Sequence, residues 1–121
     1  MKKYLLLTLF FALTLVANEG EELAVKHCGE CHLMGVTSKE KLDNMKAPPY
    51  WALAKKAREA YGTYEEQATY IIEYAKSPNE QMMLFPKQTI EKFGKMPPLK
   101  DKISDKELKA IADYTLEDKF N

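Results

Sequence analysis

The chain has 121 residues, enough for one domain, with 18 basic and 18 acidic side chains and a formal net charge of zero at neutral pH. That balance leaves no basic excess for a nucleic acid to recognise. Glycine is scarce, the six prolines fall in clusters, and no stretch alternates as a strand or repeats, so the composition points to an all-α domain.

Residues 1–17 read as a secretory signal: Met1-Lys2-Lys3 is the positive end, Leu5 to Ala17 the apolar run, and Ala17 the small residue at the expected cut. The run is too short for a comfortable membrane span. Leu15 is larger than the residue usual before such a cut, which leaves a retained anchor as the alternative. No cysteine stands at the cut, which argues against a lipoprotein. Removing 1–17 takes Lys2 and Lys3 and no acid, so the remaining domain, 18–121, carries a net charge of −2. A chain of that size buries a modest core on its own.

The first helix is predicted over about Glu19 to Cys28, with Glu19, Glu21 and Glu22 in the turn where the helix dipole favours acids. It leads into Cys28-Gly29-Glu30-Cys31-His32, the C-x-x-C-H pattern of c-type haem attachment. Two thiols at this separation meet the two vinyl groups of a porphyrin, and His32 beside the second can turn its imidazole onto the iron. A thioredoxin-like redox pair would need a strand ahead of it. A zinc site would need four ligands at tetrahedral spacing, and His27 would crowd the only cluster on offer. A plain disulfide between Cys28 and Cys31 is the remaining alternative. An exported chain with a covalently held cofactor fits the bacterial periplasm.

Leu33 to Ala47 reads as a loop with little regular structure, wrapping one side of the haem. Pro48-Pro49 starts a second helix, with Trp51, Ala54, Ala57 and Tyr61 at helical spacing, ended by Gly62. Thr63 and Glu66 make a capping box for a third helix, whose stripe is Tyr64, Ala68, Ile71, Ile72 and Ala75, stopped by Ser77-Pro78-Asn79. Met82 to Phe85 form an apolar knot. A short helix follows over Lys87 to Phe93, ended by Gly94, and then an extended Lys95-Met96-Pro97-Pro98-Leu99. The last helix has Ser104 and Glu107 as its capping box, Ile103 and Leu108 as its staple, and a buried stripe of Leu108, Ile111, Ala112 and Thr115. It is expected to end between Glu117 and Lys119.

With His32 on one face of the iron, the second face needs a ligand. His27 lies on the segment tethered to the porphyrin edge and cannot easily reach across. A thioether remains, from Met34, Met45, Met82, Met83 or Met96, and a His/Met pair raises the reduction potential. Met34 and Met45 follow the motif closely, and Met82 and Met83 read as core filler. Met96 sits in a stiff segment with little packing demand and is the expected ligand. Met82 and Met83 stay open as alternatives, as does an iron with no protein ligand on that face.

From Gly20 to Tyr114 the chain resembles a class I cytochrome c, most specifically at Cys28 to His32 and at Met96-Pro97. The resemblance implies that Gly20 lets the first helix cross the last one closely, at Ile111 and Tyr114. It implies that the Pro48 carbonyl accepts the Nδ1 proton of His32, although the family's glycine before that proline is Ala47 here. The stretch from Asn79 to Phe93 carries no family signature.

The expected fold is therefore a small cytochrome c fold of about four to five helices around one haem c, held by Cys28 and Cys31, with the terminal helices crossing. The expected function is a monomeric, periplasmic, monohaem electron carrier and not an enzyme. Redox proteins would dock transiently at its haem edge, with no nucleic acid, and with a membrane only if residues 1–17 are kept. A haem-c sensor or peroxidase-like protein with an open sixth site is one alternative, and a haem-c subunit of a membrane-bound complex another. Tyr50 and Trp51 could serve a haem propionate or pack as core aromatics. Lys92, Lys95, Lys100 and Lys102 could steer an acidic partner or form a solvated face.

Overall fold

The computed structural model describes residues 19–34 and 38–120; the signal expected over 1–17 lies outside them. Helices cover residues 19–27 (α1), Lys39–Asp43 (α2), Tyr50–Ala60 (α3), Tyr64–Lys76 (α4), Gln88–Phe93 (α5) and Asp105–Thr115 (α6), followed by a 3-10 turn over Asp118–Phe120. There is no strand among the described residues, and none of their helices is long and apolar enough to cross a membrane.

The helix ends follow local chemistry. Thr63 and Glu66 form the reciprocal capping box of α4, and Ser104 and Glu107 that of α6. Each satisfies two amides that the first turn leaves without a partner. Ile103 and Leu108, flanking the α6 cap, are both buried. Pro49 is the N-cap of α3, where its missing N–H costs nothing.

One correction falls in the stretch from Leu33 to Ala47, where α2 replaces part of the expected loop. Ser38 caps it through the Lys41 amide and Asn44 closes it onto the Glu40 and Leu42 carbonyls. The helix buries no residue, so caps alone mark it.

The larger core joins Ala24, Tyr50, Ala54, Leu108, Ile111 and Tyr114, with Phe120 folded back onto the two tyrosine rings. A second seam of Ala57, Ala68 and Ala112 lies where α3, α4 and α6 meet. Small side chains let three helices approach closely there. The first and last helices cross at Gly20: a Cβ there would stand 2.5 Å from the Ala110 carbonyl oxygen and 3.2 Å from the Tyr114 Cβ. Only glycine fits that approach.

Arg58, in the last turn of α3, reaches across to the chain's other end. Its guanidinium donates to the carbonyls of Leu116, Glu117 and Phe120 at 2.9, 3.1 and 3.1 Å. One planar fork thereby satisfies acceptors left over where α6 ends.

Candidate functional site

The C-x-x-C-H segment is a turn continuing α1. The Cys28 amide donates to the Ala24 carbonyl at 2.8 Å, and the His32 amide donates to the Cys28 carbonyl at 2.9 Å. This coil brings both sulfurs and the imidazole to one side. The His32 ring is buried, and its Nδ1 lies 2.6 Å from the Pro48 carbonyl oxygen. A proline carbonyl can only accept, so the proton sits on Nδ1 and Nε2 keeps its lone pair. Burial lowers the imidazole's pKa from its ordinary value and the Pro48 bond opposes that in part, so the ring is held neutral. A neutral imidazole with Nδ1 engaged is the form that ligates a metal through Nε2.

The two cysteines differ in surroundings. Cys31 is exposed, whereas Cys28 is half-buried, and burial pushes its thiol up to about 11, an effect the Tyr50 hydroxyl offsets in part. Tyr50 is 2% exposed. Thr115 donates to the Ile111 carbonyl at 2.8 Å, and the Tyr50 hydroxyl completes the chain at 2.9 Å from the Thr115 oxygen.

These groups line a cavity of about 680 Å³, within the range of about 300–1,000 Å³ for cofactor pockets. Cys28, Cys31, His32, Pro48 and Met96 all contribute to its wall. Apolar side chains from four helices complete it, among them Leu53, Ile71, Ala75, Ile90, Leu108 and Ile111. Two thiols at one edge, an imidazole of fixed tautomer, a thioether and an apolar wall form the donor set of a c-type haem. The residues present fit that group.

Of the five candidate methionines, Met83 and Met96 line the cavity. Met34 packs with the core beside α1, Met45 is half-buried away from the wall, and Met82 is 37% exposed rather than core filler. Met96 stands on a strap between Gly94 and Leu99. At one end the Gly94 amide donates to the Ile90 carbonyl at 2.8 Å; at the other the Leu99 amide donates to the Ala75 carbonyl at 3.0 Å. Leu99 itself is buried.

The aromatic pair divides. Tyr50 lines the cavity, while Trp51 is 49% exposed and takes no part in the wall, so it is not a core aromatic. Of the four lysines expected near the ligand loop only Lys95 reaches the rim, paired with Glu80 at 3.1 Å. Lys46 and Lys56 join it from other parts of the chain. The sequence reading also missed Tyr70 and Tyr74 in the wall; their i, i+4 spacing beside the Ile71 stripe was the available signal.

The family model described as "Cytochrome C oxidase, cbb3-type, subunit III" matches residues 16–114. An uncharacterized protein of Aquifex aeolicus (strain VF5) is 26% identical over 107 residues, covering 78% of this chain and 70% of that protein. No solved structure matches the chain.

Proposed function

The chain belongs to the family described as cytochrome C oxidase, cbb3-type, subunit III, and from its c-type cytochrome domain we propose a periplasmic electron carrier with one haem c and His32/Met96 ligation. One observation carries this reading: Cys28, Cys31, His32 and Met96 line the same apolar cavity, with the His32 tautomer fixed by Pro48. Cys28 and Cys31 would hold the haem through thioethers, and His32 Nε2 and the Met96 sulfur would ligate its iron. The haem supplies a one-electron couple between ferric and ferrous iron. The chain's part is to keep the ligands in place in both states. The Pro48 carbonyl holds the imidazole plane, the strap holds the thioether, and the apolar wall keeps water from the iron.

Met83 is the competing ligand. It lies on a turn in which its own amide and that of Met82 both bond to the Asn79 carbonyl, without the proline stiffening that flanks Met96. The test is the spectrum of the oxidised holoprotein. The thioether-to-iron charge-transfer band is expected in the wild type and in Met83→Ala, and lost in Met96→Ala. A band that survives Met96→Ala overturns the assignment. A wild type that is high-spin and binds carbon monoxide quickly favours a sensor or peroxidase-like protein.

The family description favours a second reading, a haem-c subunit fixed in a larger membrane complex with Leu5 to Ala17 kept as its anchor. Sequencing the N-terminus of the exported protein separates the two: a start just after Ala17 supports the free carrier, and a retained Met1 the anchored subunit.

A further inference from the structure

The strap that carries Met96 has two fixed ends and no support of its own. Among the described residues, the amides of Lys95 and Met96 find no hydrogen-bond partner, and Pro97 and Pro98 have none to offer. The Lys95–Glu80 pair is exposed and holds little. The direction of Met96 is therefore a matter of torsions. Pro97 restricts Met96 to extended backbone, and the prolines stiffen everything up to Leu99. The one free joint is Gly94.

Gly94 has φ +79° and ψ −175°. It is the only residue at positive φ among those described. The combination lies in a region essentially closed to any residue with a Cβ. It is also not the left-handed helical conformation of the usual glycine that ends a helix. Stopping α5 would need only that ordinary turn. A Cβ built at Gly94 meets nothing within 4 Å, so the glycine is not there to make room either. What the torsion accomplishes is the exit direction of the chain, out of α5 and along the cavity.

We infer that Gly94 is the positioning residue for the sixth ligand, its torsion aiming the strap so that Met96 faces the cavity. The inference rests on Met96 being that ligand. A side chain at position 94 pulls φ negative and swings Lys95 and Met96 away while Leu99 stays tied to Ala75. The cost of holding a non-glycine residue in this region shifts the balance between ligated and released strap by roughly 5- to 150-fold.

The experiment compares oxidised holoprotein of the wild type with Gly94→Ala, Gly62→Ala and Met96→Ala. It follows the thioether band, the affinity for added imidazole, and helix content by circular dichroism. Imidazole competes with Met96 for the iron, so Gly94→Ala is expected to bind it roughly 5 to 150 times more tightly with a weakened band and unchanged helix content. Gly62 lies just beyond Tyr61, the C-cap of α3, with open space around it and no positive φ, and Gly62→Ala is expected to match the wild type. Wild-type band and imidazole affinity in Gly94→Ala overturn the inference, provided Met96→Ala has lost the band. A band that survives Met96→Ala instead overturns the ligand assignment beneath it. Should Gly94→Ala give no folded holoprotein, exposed Lys95→Gly loosens the same joint and is expected to tighten imidazole about 2- to 5-fold relative to Lys95→Ala. Equal affinities in that pair overturn the inference too.

Discussion

Pro49 sets the phase of α3 and so decides which of two adjacent aromatics meets the cavity. With the helix beginning at Tyr50, that ring turns inward onto Tyr114 and Phe120 at centroid distances of 5.8 and 5.3 Å, and Trp51 turns out. Tyr50→Phe keeps the ring and deletes a buried hydroxyl bonded to Thr115; it is expected to lower unfolding free energy by about 1 kcal/mol, read as a shifted urea midpoint at unchanged slope. Trp51→Ala is expected to stay within about 0.5 kcal/mol of the wild type in the same titration. The residues of the site were legible where the chemistry is local in sequence. Cys28, Cys31 and His32 announce themselves by spacing, and the Pro48 carbonyl does stand at the His32 Nδ1. Tyr50 and Trp51 were not separable, because a one-residue difference in helix phase exchanges their faces and periodicity does not resolve it.

At the scale of elements, α4 and α6 were legible from their reciprocal caps, and α1, α3 and α5 from apolar spacing and the proline or glycine that bounds them. The α6 cap also makes a pH prediction. The Ser104 amide and hydroxyl both bond to the Glu107 carboxylate and hold it below its ordinary value near 4.5. As pH falls, the unfolded chain takes up this proton before the folded one. The cap's contribution is thus complete above the ordinary carboxylate range and is lost as pH drops through the lowered value. Thermal midpoints should show Glu107→Gln below the wild type at neutral pH, with the gap closing as pH falls through and below the ordinary carboxylate range. The crossing of α1 and α6 gives a sharper test. Gly20→Ala puts a Cβ against the Ala110 carbonyl oxygen and is expected to cost about 1–3 kcal/mol, seen as a lower denaturant midpoint. By contrast, α2 was not legible: five residues with none buried leave no stripe to read.

Across the whole molecule, the cavity belongs to no single element. The turn after α1 supplies sulfurs and imidazole, Pro48 and α3 one wall, α4 and α6 another, and the strap the thioether. Holding such a shell requires ties between distant parts, and Arg58 is the tie that periodicity could not show. In sequence it reads as a basic residue favoured near a helix C-terminus. In space it joins α3 to the three carbonyls that follow α6 and fixes Phe120 over the Tyr50 and Tyr114 rings. Arg58→Met keeps much of the stem and removes the fork, and is expected to lower unfolding free energy by about 2–3 kcal/mol. Arg58→Lys is expected to recover only part of that, because an ammonium cannot span three carbonyls as the guanidinium does.

The close approach of Gly20 to Ala110 also governs the order in which the chain acquires its shape. The two positions stand 90 residues apart, and contacts of such separation must first overcome the entropy of closing a long loop. Leu108, Ile111 and Thr115 join the wall only when α6 arrives. A chain made from its N-terminus exposes Cys28 and Cys31 first and latches last, so chemistry at the two sulfurs and closure of the cavity are separable in time. The crossing is the latch: until it forms, the α6 side of the cavity wall is missing.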